Sequence, residues 1–364
     1  MTLSEPEITG QENWRSRVKT PRREVAVFSR HLSVMLQGGV PLTRCLECLT
    51  QQEKFPNFGV VVDEIGQAIA EGHSLSESVA PFSRTFPPLY SRMLKVGESS
   101  GQLTVALDRL ANWLEQDEKT FQKIKQAITY PVIVLISGFL LTLGVFCFVI
   151  PEFVVIFSDL KVPLPFLTQI VLLISALARN PGAWLLAMMI GSGSYYALKQ
   201  SASHPVGAMK LYGLLLAIPV VGSMVKCTSL ARLSSAAEMA TANGLSLAPS
   251  LDLAFKASQN PLILNDLDGL QSSLSSGLSL SEHMRINPTI FDPVLIQFVI
   301  AGENSASLDR AFAQATNHYD SKVYISADRL GAVLEPLLLM GVAFVIGLLL
   351  LSVFLPLYSL ISAI

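Results

Sequence analysis

Three long stretches of the chain carry no charged residue and are made up mostly of apolar side chains. They cover residues 132–150, 180–198 and 336–357. A helix of about 20 apolar residues crosses about 30 Å of hydrocarbon, because an α-helix rises about 1.5 Å per residue. The pattern therefore predicts three transmembrane helices.

Two shorter uncharged runs, residues 162–178 and 211–225, are interrupted by prolines. Their length is typical of buried or interfacial helices. We interpret the first as an interfacial helix in an external loop. The alternative, a further span within the second run, would divide the basic residues of 199–335 between the two sides of the membrane.

The basic residues predict the orientation. Of 26 Lys and Arg residues, 24 lie in segments 1–129 and 199–335, and 2 lie in 152–179. Cytoplasmic segments carry the excess of Lys and Arg. The N-terminus and residues 199–335 are therefore expected in the cytoplasm, and the short loop and the C-terminus outside.

Outside the three stretches, apolar residues recur at the spacing of helix faces, as at Val27, Phe28, Leu32 and Met35. Gly38 and Gly39 are expected to end this helix.

Ser74 with Glu77, and Ser279 with Glu282, match the capping box that begins a helix. Alternating strand patterns are absent from these segments. The sequence predicts an all-α fold.

An internal repeat with an offset of 205 residues organises the chain. Residues 39–42 match 244–247, residues 72–77 match 277–282, and residues 97–103 match 302–308. Pro131 likewise matches Pro336. We interpret this as two homologous cytoplasmic helical bundles of about six helices each, with one span after each bundle. The middle span has no counterpart and returns the chain to the cytoplasm.

These observations predict nine consecutive segments. They are a polar tail (1–23), bundle 1 (24–129), span 1 (130–151), an external loop with an interfacial helix (152–179), span 2 (180–198), a cytoplasmic linker (199–228), bundle 2 (229–334), span 3 (335–358) and an external tail (359–364).

Composition narrows the class of protein. Charged residues make up 15% of the chain and hydrophobic residues 51%, whereas soluble domains contain about 25% charged residues. This argues against a disordered chain and against an ordinary soluble enzyme. The net charge of -2 gives no overall basic field for nucleic acid.

Motifs for catalysis are weak. Gly97-Glu98-Ser99-Ser100-Gly101 has the letters of a nucleophile elbow, but that motif needs a preceding strand, and here a helix is expected. Cys45 and Cys48 form a C-x-x-C without a second pair of metal ligands, and we interpret them as packing residues. The sequence contains no P-loop.

Glu98 and Glu303 occupy equivalent positions, each after a glycine at the end of an expected helix. They could bind a cation or cap the helix that follows, and we favour the cap. A transporter is the alternative class of protein. The predicted spans contain no Asp, Glu, Lys or Arg, which transporters usually place at the midplane.

The repeat carries a resemblance to a known family. Phe28 and Arg30 followed by Gly39-Val40-Pro41-Leu42, the turn at residues 72–78, the segment 93–103 and Tyr130-Pro131 resemble the type II secretion protein F domain. The second copy has Glu335 in place of Tyr130, and Arg232 is the nearest candidate for its opening arginine.

The resemblance implies a non-enzymatic inner-membrane platform protein of a type II secretion or type IV pilus machine, without cofactors. Implied partners are a hexameric cytoplasmic ATPase, pilin or pseudopilin, other platform subunits, lipid and further copies of the chain, but not nucleic acid. The family-motif residues are Phe28, Arg30, Gly39, Pro41, Gly72, Gly97, Glu98, Gly101, Pro131, Gly244, Gly277, Gly302, Glu303 and Pro336.

Overall fold

The computed structural model describes residues 15, 18, 20–50, 56–152 and 166–361, and every regular element in these ranges is helical. This confirms the predicted all-helical class. The first half contains α1 (Arg22–Gln37), α2 (Leu42–Thr50), α3 (Pro56–Ala70), α4 (Leu75–Val79), α5 (Pro88–Ser99) and α6 (Leu103–Gly144), which continues through a π-helical turn (Val145–Val149).

The second half begins with three helices that have no counterpart in the first: α7 (Phe166–Arg179), α8 (Pro181–Ser203) and α9 (Pro205–Ala217). The second repeat follows as α10 (Val221–Ala242), α11 (Leu247–Ala257), α12 (Pro261–Asn265), α13 (Leu267–Ser275), α14 (Leu280–Ile286), α15 (Pro293–Asn304) and α16 (Leu308–Ile361).

The described residues form two compact units. Unit 1 combines the residues up to Lys123 with Gly222–Tyr324, so the helical parts of both repeats belong to one body. Unit 2 combines Ile124–Val221 with the residues from Ile325 onward. The predicted segment boundaries stay predictions, and most of the polar tail and residues 362–364 lie outside the described part.

The repeat is visible in the backbone of its turns. Gly39 and Gly244 both have φ of 81°, and Gly72 and Gly277 have φ of 100° and 86°. Residues other than glycine rarely adopt these positive φ values, because their Cβ atom clashes with the backbone. The same φ sign occurs at Gly101 (69°) and at its counterpart Ala306 (50°). Equivalent turns therefore connect equivalent helices.

Both predicted capping boxes are confirmed. The Ser74 hydroxyl accepts from the Glu77 backbone N–H at 3.2 Å, and the Glu77 carboxylate accepts from the Ser74 N–H at 3.2 Å. Ser279 and Glu282 repeat the arrangement. These backbone bonds lower the pKa of both glutamates.

Close helix packing explains two of the repeated glycines. A Cβ atom built on Gly97 would lie 2.6 Å from the Cβ of Ala106, and one on Gly302 would lie 2.6 Å from the Cβ of Ala311. Real Cβ atoms do not approach so closely. The last turn of α5 can therefore contact α6, and that of α15 can contact α16, only without a side chain at these positions.

Unit 2 is the apolar part of the chain. Two helices, Leu103–Glu152 and Leu308–Ser352, include segments long and apolar enough to cross a membrane. Their large apolar side chains are solvent-exposed at equivalent positions, for example Phe139 (57%) and Phe344 (70%). Lipid is the environment that such side chains favour.

The second predicted span falls within α8. This helix is long and apolar enough to cross a membrane only when it is taken together with α7, and the two helices are bent by 78° where they meet. The described part of the chain therefore contains two helices that could span a membrane, or three if the bent pair counts as one span. A separate span at 180–198 stays a prediction.

Two equivalent prolines, Pro151 and Pro356, leave backbone carbonyls without their usual helical partners in unit 2. Ile150 donates its N–H to Val145 in the π-turn, so the next bond would run from Pro151 to Phe146, but proline has no N–H. The Ser175 hydroxyl donates to the Phe146 carbonyl instead, at 2.6 Å.

In α16 the missing donor is Pro356, whose helical acceptor would be the carbonyl of Ser352. The Thr168 hydroxyl donates to that carbonyl at 3.0 Å. Thr168 and Ser175 lie two helical turns apart on α7 and are both buried. One face of α7 thus satisfies a carbonyl in each of the two apolar helices.

Candidate functional site: the junction of the two repeats

Within unit 1 a carboxylate on α6 joins the two repeats. Asp117 accepts from the Arg22 guanidinium at 2.9 Å and from Nε of Arg232 at 2.8 Å. The Gln259 side-chain oxygen accepts from the same two arginines, at 3.3 Å and 3.0 Å. Arg22 begins α1, whereas Arg232 belongs to α10 of the other repeat. Two cations therefore share one carboxylate at the junction.

Further polar contacts cross the same junction. Arg109 donates to the carbonyl of Ala242 at 2.7 Å, and Gln116 donates to the Asp320 carboxylate at 3.0 Å. Burial raises the pKa of Asp320. Arg92 pairs with Asp252 at 3.3 Å, and Lys256 pairs with the same carboxylate at 2.7 Å. The junction thus contains a second carboxylate shared by two cations.

This junction was not predicted from the sequence, because candidate residues were chosen where the two repeats match. With the offset of 205, Asp117 corresponds to Lys322 and Arg22 to Cys227. The residues that form the shared ion pair, Arg22, Asp117 and Arg232, therefore break the repeat. Their loss of equivalence was the available signal.

The family-motif arginine has a different position from Arg232. Arg30 donates through Nε to Glu115 at 2.7 Å and through Nη1 to Asp108 at 2.8 Å, which attaches α1 to α6 inside the first repeat. The hydrogen bond from Arg30 lowers the pKa of Glu115. With the offset of 205, the counterpart of Arg30 is Ser235. Arg232 therefore makes the cross-repeat contact and does not have the role of Arg30.

The remaining motif residues lie in turns, core and helices. Phe28 is buried, with its ring centroid 5.2 Å from that of Phe58. The carbonyl of Pro41 accepts the first bond of α2. Pro131 lies inside α6, and Pro336 lies inside α16.

The two candidate cation ligands are caps. The Glu98 carboxylate accepts from the backbone N–H groups of Leu75 and Ser76, at 2.7 Å and 3.3 Å. Glu303 accepts from Ser281 at 3.2 Å. Each carboxylate thus caps the start of an earlier short helix, α4 or α14. The prediction that it caps the helix that follows is wrong. The reason is that the chain folds back, so that the end of α5 meets the start of α4.

Across the described ranges, no group of three or more His, Cys, Asp or Glu side chains suits a metal ion. Cys45 and Cys48 are free thiols, the first buried and the second exposed. Burial raises the pKa of Cys45. Ser99, the serine of the elbow-like motif, lies in α5 and donates to the carbonyl of Val96 at 3.0 Å.

One Ser–His–Asp arrangement was not predicted. The buried His283 contacts Asp266 through Nε2 and Ser273 through Nδ1, both at 2.9 Å. Ser273 lies inside α13, and the backbone N–H groups just after this helix, those of Ser276, Gly277 and Leu278, all donate to helix carbonyls. Since an oxyanion hole needs free donors beside the serine, the arrangement holds α13 against α14.

Comparison with known proteins agrees with this architecture. The family model of the type II secretion system protein F matches residues 28–151 and 238–356, one match for each repeat. The chain belongs to this family.

Relatives with different names are equally similar. The chain is 28% identical to a type IV pilus assembly protein PilC of Pseudomonas aeruginosa, over 94% of this chain and 91% of that protein. It is also 28% identical to a type II secretion system protein F of the same organism, over 93% and 83%. A protein transport protein HofC homolog of Escherichia coli is 28% identical, over 90% and 82%.

Proposed function

We propose that this chain is an inner-membrane platform subunit of a type II secretion or type IV pilus-like machine, without catalytic activity of its own. The observation that carries the proposal is the match of both repeats to the protein F family. The relatives named for pilus assembly and for secretion are equally similar, so the proposal covers both machines.

The division into two units supports a mechanical role in the proposal. Unit 1 is polar and built from both repeats, whereas unit 2 contains the exposed apolar helices. In the proposal, unit 1 receives motion from a cytoplasmic hexameric ATPase, and the apolar helices contact pilin or pseudopilin as it enters the fibre. Other platform subunits, lipid and further copies of the chain complete the contacts, and nucleic acid has no part.

The topology is proposed from the basic residues. The N-terminus and residues 199–335 face the cytoplasm, while residues 152–179 and the C-terminus face outward, with spans at 130–151, 180–198 and 335–358. A membrane-impermeant maleimide tests this on variants of two exposed residues, Ser99→Cys and Ser272→Cys, against Ser362→Cys, in a background without the native cysteines. Labelling in intact spheroplasts is expected at residue 362 alone, and labelling at residue 272 would contradict the three-span topology.

Affinity purification tests the partners. The tagged full-length chain is recovered from crosslinked native membranes, and a hexameric ATPase and a pilin-like protein are expected among the recovered proteins. Deletion of the gene should abolish fibre assembly or secretion, and the wild-type copy should restore it. Recovery of neither partner would contradict the proposal, as would substrate flux in proteoliposomes that contain this protein alone.

The motif residues are proposed as structural. Glu98→Gln should keep one hydrogen-bond acceptor for α4, whereas Glu98→Ala should remove it. If Glu98 bound a cation, Ca²⁺ or Mg²⁺ would raise the midpoint of thermal unfolding of the wild type but not of Glu98→Gln, and we expect no such difference.

A further inference from the structure

The junction of the two repeats encloses a cleft of about 340 Å³. This is within the size range of ligand pockets, about 300–1,000 Å³. Its floor is apolar and comes from both repeats, since Val25, Leu89 and Leu253 are at most 2% exposed. Its walls carry four cationic side chains: Arg22, Arg84, Arg232 and Lys256.

The positive charge of this cleft exceeds the negative charge. Asp117 is the one carboxylate among the described residues that line the cleft, and both Arg22 and Arg232 already share it. Lys256 shares Asp252 with Arg92. Arg84 is exposed and has no ionic or hydrogen-bond partner in the part of the chain that the structure describes. Two arginines share the single carboxylate Asp117, and Arg84 adds a further positive charge without a partner among the described residues, so an anion in the cleft would be stabilised.

The available donors suit carboxylates better than phosphates. Phosphate sites typically use backbone N–H groups at a helix N-terminus. The helix that starts at the cleft, α5, has Pro87 as its cap and Pro88 as its first residue, and proline has no N–H. Recognition is left to guanidinium groups, whose paired N–H donors match the two oxygens of a carboxylate without the backbone N–H groups that phosphate sites typically add. Arg232 uses Nε and Nη1 within the junction, and its Nη2 has no partner among the described residues.

We propose that this cleft binds an acidic segment of a partner protein, with carboxylates on the cationic walls and an adjacent apolar side chain on the floor. Because residues of both repeats line the cleft, one segment would contact both at once. The inference deepens the proposed function and rests on it, since it assigns a residue-level site to a cytoplasmic partner of the platform.

Site-specific photo-crosslinking in cells tests the inference on the full-length protein. A benzoylphenylalanine replaces Ser83, an exposed residue at the cleft. The captured peptide, identified by mass spectrometry, is expected to come from another protein and to carry at least two carboxylates beside an apolar residue. Arg84→Glu should lower the yield about tenfold, the effect of a lost charge-assisted hydrogen bond.

The matched control is Lys95→Glu, an equal charge reversal on the exposed side of α5 outside the cleft, which should change the yield less than about twofold. Both variants must reach wild-type levels in the membrane. Replacing the captured carboxylates by lysine should restore the yield with Arg84→Glu.

Four results would overturn the inference: cross-links to lipid or to a second copy of the chain alone, a captured peptide without carboxylates, an unchanged yield with Arg84→Glu, or loss of the cross-link on addition of inorganic phosphate at constant ionic strength. If the ATPase and pilin-like protein still co-purify in that case, only the cleft inference fails. If they do not co-purify, the proposed function fails as well.

Discussion

The two repeats share their turns but differ in the polar contacts that attach their helices. Gly39 and Gly244 have the same φ, yet Arg30 of the first repeat has only Ser235 as its counterpart. In the first repeat the buried Ser29 contacts the Tyr90 hydroxyl at 2.9 Å. In the second, Leu295 replaces the tyrosine, and the buried Ser234 hydroxyl has no partner among the described atoms.

This difference teaches which features an internal repeat must keep. Glycine turns and close helix contacts fix the backbone path, so both copies retain them. Polar side chains between helices can change when another contact takes over, and in the second repeat Arg232 reaches across to Asp117. The two similar helical repeats thus form one body, unit 1, that lacks internal symmetry and contains a cleft.

The largest expected effect tests the shared feature. Gly97→Ala and Gly302→Ala should each lower the free energy of unfolding by about 2–3 kcal/mol, because the added Cβ overlaps α6 or α16. Denaturant unfolding of the full chain in detergent measures this loss. Gly59→Ala is the control, since no atom lies within 4 Å of its added Cβ and helix propensity should improve. A neutral Gly302→Ala would mean that the repeats pack differently.

The next effect separates the repeats. Arg30→Ala should cost about 1–2 kcal/mol of unfolding free energy, a value reduced for the partial exposure of the pair with Glu115 and Asp108. The control is Arg44→Ala, whose pair with Glu47 is 70% and 60% exposed and should contribute less than about 0.5 kcal/mol. Equal effects of the two substitutions would contradict a specific role for Arg30.

The buried serines should respond with opposite signs. Ser29→Ala removes hydrogen bonds to Tyr90 and to the Val25 carbonyl and should destabilise by about 1 kcal/mol. Ser234→Ala removes a buried hydroxyl without a partner among the described atoms and should be neutral or stabilising by up to about 1 kcal/mol. The same unfolding measurement applies. Destabilisation by both would show that Ser234 has a partner.

A smaller effect is expected on the stability of the protein at low pH. Since Arg30 lowers the pKa of Glu115 in the folded state, the stabilisation is complete above the unfolded pKa of about 4.3 and is lost as the pH falls through the folded value. The wild type should therefore lose stability between about pH 5 and 3 more steeply than Glu115→Gln. Parallel curves for the two proteins would contradict the assignment.

The smallest effects lie in unit 2. Thr168→Val and Ser175→Ala should each cost about 0.6 kcal/mol, the average for hydrogen bonds inside membranes, because the carbonyls that accept these bonds belong to Ser352 and Phe146 in the proposed spans. The decisive measurement is a double-mutant cycle. With Pro151→Ala, a backbone N–H can replace the Ser175 hydroxyl, so Ser175→Ala should then cost less. An unchanged cost would contradict the assignment of this hydroxyl to the orphaned carbonyl.

Much of the fold could be predicted from local patterns. The capping boxes and the end of α1 at Gln37 appear as expected, because each depends on residues only three or four positions apart. The break before the second predicted span is also local, because Asn180 caps α8 and Pro181 is its first residue. What the sequence did not indicate is the bend of 78° that α8 makes with α7 at this break. The role of Glu98 also required the fold, since its partners lie 22 and 23 residues away.

By itself the sequence determined the helical class, the repeat, the long apolar segments and the family resemblance, because periodicity, charge-free length and glycine turns are written in short segments. Only the tertiary structure decided that both repeats form one unit, that Asp117 joins Arg22 to Arg232, and that Thr168 and Ser175 satisfy the carbonyls left by two prolines. Such contacts join residues far apart in the chain, and no local pattern specifies which distant partner will complete them.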